Sequence, residues 1–337
     1  MQVLEHPRPS SLASSSTDFE IVPSLAAVID RYDGFLIDQW GVMHNGIIAF
    51  ENATECIRLL GQANKKLAIV SNSPSDEAKT LNALVDLGFD AQHFVGGAVT
   101  SGALAVQYIR ETYGKNKARA LVFGWEHESA PCPQEFVAQC GDLEIVDWKH
   151  QMDDDVPPAD VIILQGNQVL LGPSSTSTTS LGDFVLTGNT ENIIDPILEK
   201  CAKHKIPLMC VDPDFITVDP DGTKLYMPGT IARRYEELGG SCRYFGKPHG
   251  ECFQEGVSRL LSMGVSDTSK VAMIGDSLHH DVTGANSIGL DSILVLGGVH
   301  RKELGNEFGD TVGRQELEAL FDQVAQTPTI VAPILKM

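Results

Sequence analysis

The chain is poor in basic side chains, with 25 Lys and Arg against 45 Asp and Glu and a net charge of −20 over 337 residues. A field of that sign repels a phosphate backbone and an anionic bilayer face, so neither nucleic acid nor membrane is an expected partner. No run approaches 18 apolar residues, which leaves no expected transmembrane helix. The seven cysteines (56, 132, 140, 201, 210, 242 and 252) are odd in number and never spaced CxxC. That usage points to reduced thiols in a cytoplasmic compartment, without a disulfide framework or a zinc site. No G-x-G-x-x-G joins an early strand to its helix, which argues against a dinucleotide-binding dehydrogenase. The first 24 residues lack the apolar centre of a secretory signal and the Arg-rich make-up of a transit peptide. They read as a flexible N-terminal tail.

What remains is an ordinary globular composition, 42% apolar and 21% charged, of a length that suits about two domains. From about Ser24 short apolar runs alternate with helical periodicity. Gly34–Ile37, Lys66–Val70 and Val271–Ile274 have the continuous hydrophobicity of strands buried on both faces. Ala120–Phe123, Val161–Leu164, Leu208–Val211, Arg243–Phe245 and Ser292–Leu296 are further expected strands. Ser73 as N-cap, Pro74 at the first helical position and Gly88 at the far end predict one helix. A second is predicted from Thr100 or Ser101 to about Tyr113. Gly172–Ser180, rich in Ser and Thr, is expected to be a solvated loop, as is the acidic run Asp153–Asp155. Alternating strands and helices predict an α/β protein built on a parallel sheet.

The strand ends carry the chemistry. Asp38 closes the first strand, Ser71 the second and Asp276 a late one, while Lys247 lies just beyond another. In open α/β sheets ligands bind at the carboxyl ends of the strands, so these four groups are expected to share one crevice. Two carboxylates can hold Mg²⁺, which prefers oxygen ligands and is commonly bound by one or two carboxylates plus substrate phosphate. A lysine supplies a point charge for phosphate, and a hydroxyl adds hydrogen bonds. Either carboxylate could serve as a nucleophile. The set points to phosphoryl transfer. Ser71 and Lys247 are 176 residues apart, far more than one helical crossover needs. An inserted domain over 115–240 is therefore expected, within a core made of 25–114 and 241–337.

Asp38-Gln39-Trp40-Gly41-Val42, Ser71-Asn72, Gly246-Lys247-Pro248, and Gly275-Asp276 with Asp281 resemble the four ordered motifs of haloacid dehalogenase-type hydrolases. The long insertion resembles the class IIA subgroup, which includes 4-nitrophenyl, sugar and nucleotide phosphatases. Thr100-Ser101, Asp212-Pro213-Asp214, Gly229-Thr230 and Gly289-Leu290 match further class IIA features. The resemblance implies a Rossmann-like core with an inserted α/β cap of the C2 type. It implies a Mg²⁺-dependent phosphatase acting on a small phosphorylated metabolite, with the cap as a dimer contact in some relatives. By the same resemblance, Asp38 is the nucleophile and Ser71 and Asn72 bind the phosphoryl oxygens. Lys247 neutralises both Asp38 and phosphate. Asp38, Asp276 and the backbone carbonyl of Trp40 hold the metal, and Asp281 completes or braces that shell.

One departure stands out. The family's phosphatases usually carry a second aspartate two places after the nucleophile, where it protonates the leaving group. Here that place is Trp40, and an indole cannot do so. General acid–base help is worth about 10²–10⁴-fold in rate. Its loss implies a slow enzyme, a good leaving group, or a substitute acid, for which His44 and His249, and less so His279, are candidates. A phosphate-binding or regulatory protein with little turnover is the competing expectation.

Overall fold

The strand Gly34–Ile37 is buried along its whole length because each of its faces meets a different helix. Phe35 and Ile37 share a core cluster with Cys56, Ile57 and Leu60 of the helix Ala53–Gln62. Leu36 points the other way, into a cluster with Phe253, Val257 and Leu260 of the helix Gly250–Ser262. This period-two alternation, with both sides apolar, is the signature of a strand central to a parallel sheet.

The computed structural model describes residues 18–126, 132–151, 159–174, 177–218 and 223–337. A seven-stranded sheet runs in the order Glu20–Ile21, Ile330–Ala332, Asp291–Val295, Val271–Gly275, Gly34–Ile37, Lys66–Ser71 and Ala98–Thr100. Every neighbouring pair in it is parallel. From Gly34–Ile37 the chain adds strands outward in one direction, then returns to build from Val271–Gly275 in the other. The strand order therefore reverses between these two neighbours, and the crevice that such a reversal opens is where open α/β sheets bind ligands.

A second seven-stranded sheet is inserted between Ala98–Thr100 and Val271–Gly275. Its strands Ala118–Gly124, Val161–Leu164, Pro207–Cys210 and, at the edge, Ser241–Tyr244 are parallel. Val169–Leu171 and Thr178–Ser180 extend it antiparallel. Its cores lie on both faces, one around Phe123, Leu164 and Tyr235, the other around Val122, Phe136 and Phe245. The molecule is thus a Rossmann-like α/β core with a second α/β sheet inserted, as expected. Among the described residues no helix is long and apolar enough to cross a membrane.

Several local expectations are corrected. The flexible tail does not extend to residue 24: Glu20–Ile21 pairs with Ile330–Ala332, and Phe19 and Val22 are buried. Residues 1–17 lie outside the described residues, as does the run Asp153–Asp155. Arg243–Phe245 does not return the chain to the first sheet. Ser241–Tyr244 forms the edge of the second, paired with Pro207–Cys210. Half-exposed on that edge, it carries no pattern that says which sheet it joins. Within Gly172–Ser180, Thr178–Ser180 is a strand rather than a loop, held by pairing to Val169–Leu171. The helix after Ser71 begins later than expected, at Glu77, with the Asp76 side chain accepting from Lys79 N at 2.8 Å. Ser73 is used otherwise: its carbonyl accepts Ser101 Oγ at 3.0 Å and the Gly102 amide at 3.1 Å. Thr100 caps the helix Ser101–Thr112 as expected.

Candidate active site

Asp38 and Asp276 leave adjacent strands at the reversal point, where Ile37 pairs with Ile274. The Asp38 amide donates to the Ile274 carbonyl at 2.9 Å, so the two acidic loops start in register. Lys247 reaches in from the loop that follows Ser241–Tyr244. Its Nζ lies 2.6 Å from Asp38 Oδ1 and 2.8 Å from Asp281 Oδ1, with its side chain only 4% exposed. Asp38, Asp276 and Asp281 are all buried, and an oxygen from each lies within 4.8 Å of the others.

Each carboxylate is held differently. Asp281 is fully committed: Oδ1 takes Lys247, and Oδ2 accepts the amides of Asp276 at 3.1 Å and Ser277 at 3.0 Å. Only glycine fits at 275, since a Cβ there would sit 2.1 Å from Asp281 Cγ. Asp276 Oδ2 accepts the Val299 amide at 2.7 Å. Gly41 and Gly298 close on that oxygen from two sides, a Cβ on either falling 1.9 Å from it. The Gly297-Gly298-Val299-His300 segment thus acts as a backbone brace. His300 Nε2 accepts the Leu278 amide at 3.2 Å, and Nδ1 lies 3.2 Å from Glu303 Oε2. Burial holds this imidazole below its usual pKa, although Glu303 opposes the shift. It is therefore neutral, with the proton on Nδ1, a tautomer assigned from the bonding pattern.

Three carboxylates face one ammonium. Burial, then the Asp281 charge, pushes Asp38 up to about 7 against the pull of Lys247. Burial followed by repulsion from Asp38 and Asp281 raises Asp276 well above the carboxylate range. Desolvation works against Lys247, yet Asp281 and Asp38 outweigh it and hold the ammonium above its ordinary value. Buried charge of one sign in excess calls for a partner. An all-oxygen donor set with surplus negative charge fits a hard divalent cation.

The structure brings Asp38, Lys247, Asp276 and Asp281 together, and Ser71 and Asn72 border them. Ser71 is buried at the end of its strand, its Oγ accepting the Ser73 amide at 3.3 Å. Asn72 is more heavily engaged than expected. Its Oδ1 accepts Lys247 N at 2.6 Å, and its Nδ2 donates to Lys247 O at 3.1 Å and to Asp214 Oδ1 at 2.7 Å. It clamps the lysine loop to the first sheet and to a residue of the inserted segment. Gly246, at φ +92°, lies so close that a Cβ would meet Asn72 Oδ1 at 2.5 Å.

The candidate acids have other engagements. His44 is buried, its Nδ1 accepts the Gly46 amide at 3.0 Å, and burial lowers its pKa to about 4. His249 stacks on Tyr244 with ring centroids 5.5 Å apart. Trp40 is 53% exposed, packs on Gly46 and meets His44 edge to face at 6.0 Å. His280 escaped the sequence reading, and the contacts of the Asp212-Pro213-Asp214 motif were not foreseen. His280 lies with Nε2 3.5 Å from Asp214 Oδ1, beside Asn72. Asp212 is buried with its Oδ1 on the Asp214 amide at 3.2 Å. The Asp-Pro-Asp motif was visible, but nothing in its spacing shows that it reaches Asn72.

Comparison with known proteins agrees with this geometry. Residues 35–133 match the family model described as haloacid dehalogenase-like hydrolase, and 244–326 one described as HAD-hydrolase-like. A haloacid dehalogenase-like hydrolase from Brucella suis is 23% identical, with 93% of this chain and 98% of that one covered at TM-score 0.67. A possible sugar phosphatase from Cytophaga hutchinsonii is 17% identical, with 94% and 98% covered at TM-score 0.70. A p-nitrophenyl phosphatase from Archaeoglobus fulgidus is 21% identical, with 89% and 95% covered at TM-score 0.60. The sequence matches none of the curated proteins with which it was compared. The structural likenesses establish a shared fold, and the family models join it to the motifs. The chain belongs to the haloacid dehalogenase-like hydrolase superfamily.

Proposed function

We propose that this protein hydrolyses phosphate monoesters of small molecules through a phosphoenzyme at Asp38. The observation that carries the reading is the buried Asp38–Lys247–Asp281 chain, with contacts of 2.6 and 2.8 Å, set beside Asp276 at the reversal point of the sheet. Burial pushes the Asp38 carboxyl up to about 7, and Lys247 opposes that push and so favours its ionised form. An ionised carboxylate is what attack on phosphorus requires. Asp281 holds Lys247 in place, so the ammonium serves Asp38 and the phosphoryl oxygens at once. Ser71 Oγ and the amides following it supply donors to those oxygens. Asn72 contributes indirectly, by fixing the lysine loop.

Mg²⁺, bound by Asp38, Asp276 and the Trp40 carbonyl, would neutralise charge on the transferring group. Asp38 Oδ forms the new bond to phosphorus as the ester oxygen departs with its electron pair. Water then forms a bond to phosphorus and gives up its proton to the phosphate product, while the P–O bond to Asp38 breaks with its electron pair returning to the carboxylate. The inserted sheet, from Ala118–Gly124 to Ser241–Tyr244, acts as the cap that shapes the substrate's entry, with Asp214 touching Asn72 from that side. Cap-mediated dimerisation and a cytoplasmic setting belong to the same reading.

The test is 4-nitrophenyl phosphate hydrolysis with Mg²⁺, compared with Asp38→Asn. Turnover that vanishes in the variant supports the reading, and equal rates remove Asp38 from the mechanism. Trp40 favours the competing reading of a phosphate-binding protein without turnover. Phosphate binding with no hydrolysis of any ester would establish it.

A further inference from the structure

Trp40 stands where its relatives usually place a proton donor, and it does not stand alone. Nine large apolar side chains are markedly exposed among the described residues. Four of them lie in the two loops that meet at Asp276: Trp40 (53%), Ile47 (70%), Ile48 (62%) and Val299 (61%). The juxtaposition is tight, because Gly41, next to Trp40, and Gly298, next to Val299, both abut the same Asp276 Oδ2. Nor is the exposure a matter of a loose loop. Asn45 Oδ1 accepts the amides of both Ile47 and Ile48, at 3.0 and 2.9 Å, and Asn45 N donates back to the Ile48 carbonyl. Gly46, at φ +87°, gives the indole its seat, since a Cβ there would fall 2.2 Å from the ring. His44 holds Gly46 by its amide and the indole by an edge contact. A fixed apolar collar is therefore carried by the two loops that meet beside the charged centre.

We infer that this collar binds the leaving group of the substrate, and that the substrates are phosphate esters of flat, apolar alcohols acidic enough to depart as oxyanions, aryl phosphates above all. The inference rests on the phosphatase reading and deepens it. A phosphorus attacked by Asp38 at the strand ends sends its ester oxygen away from the sheet, toward the loops where the collar is exposed. An indole there stacks on a planar group but surrenders no proton. The P–O bond to the leaving group breaks with both electrons going to an oxygen that only its own substituent stabilises. A departing alkoxide would be far slower.

Steady-state kinetics of the full chain with Mg²⁺ on dinitrophenyl, nitrophenyl and phenyl phosphates, acetyl phosphate and glycerol phosphate tests this. The wild type should lose about 10²-fold or more in kcat/KM from nitrophenyl to phenyl phosphate, the range that general acid help would otherwise cover. Trp40→Asp should flatten that dependence. Trp40→Ala should raise KM for nitrophenyl phosphate about tenfold more than KM for acetyl phosphate, the size of one aromatic contact. Inhibition by inorganic phosphate, measured for each variant, reports the integrity of the charged centre. A flat dependence on the leaving group in the wild type, or equal KM changes for both esters in Trp40→Ala, overturns the inference and leaves phosphatase activity standing. Failure to hydrolyse any ester removes the phosphatase reading itself, and this inference with it.

Discussion

Replacing Lys247 with Met keeps a stem of similar length and deletes the one cation among three buried carboxylates. Lys247 touches Asp38 and Asp281 at 2.6 and 2.8 Å and is almost wholly enclosed, so solvent cannot take over its role. Removing one partner from such a network costs about 3–5 kcal/mol, because the remaining charges are left uncompensated. The loss should depend on pH in a definite direction. Asp38 is already pushed to about 7 with the ammonium present, against an ordinary 3.8, and rises further without it. A carboxyl raised in the folded state contributes stability that is complete below its unfolded pKa and lost as pH rises through the folded one. Urea unfolding of metal-free Lys247→Met should therefore show the full deficit near pH 8 and less than half of it near pH 5. Added Mg²⁺ should recover part of the deficit at the higher pH. A deficit below about 1 kcal/mol at both pH values would refute the charge balance drawn here.

Other variants probe the rest of the centre. Gly298→Ala places a methyl group 1.9 Å from Asp276 Oδ2. It should weaken Mg²⁺ binding about 10–100-fold by calorimetric titration, as displaced metal-site supports commonly do. His44, held near 4 by burial, must gain a proton on unfolding in acid, so native stability should fall as pH drops from about 6.5 to about 4. That contribution is about 3 kcal/mol at its limit, and denaturation of His44→Gln should lack it. Asn72→Ala frees the lysine loop from two hydrogen bonds and Asp214 from a third. It should lower kcat more than it raises KM if the side chain positions Lys247, whereas a KM effect alone would make it a direct phosphate ligand.

The first sheet was legible because Gly34–Ile37, Lys66–Ser71 and Val271–Gly275 are buried on both faces, which writes continuous hydrophobicity into the sequence. The polar residues at their ends followed from the rule that parallel sheets bind ligands there. Glu20–Ile21, Leu143–Ile145 and Thr178–Ser180 were not legible. They are two or three residues long, on or near sheet edges, and are held by pairing rather than by an apolar run. Ser241–Tyr244 was recognised as a strand but assigned to the wrong sheet, since its partner lies more than thirty residues away in sequence. At the site, residue types revealed which groups carry charge but not what each one touches. Asn72 looked like a phosphate donor, and its side-chain bonds to Lys247 and Asp214 were not foreseen. His300, in a glycine-rich turn, proved to hold the segment after Asp276 by an amide. Such second contacts depend on loop paths that no periodicity encodes.

The most direct measurement is chemical trapping of the enzyme during turnover. The protein is quenched with borohydride while hydrolysing 4-nitrophenyl phosphate in Mg²⁺, and residue 38 is examined by peptide mass spectrometry. Reduction of an aspartyl phosphate to homoserine at position 38, absent without substrate, is the predicted result. Sustained hydrolysis with Asp38 unmodified, or with homoserine at another aspartate, would contradict the account.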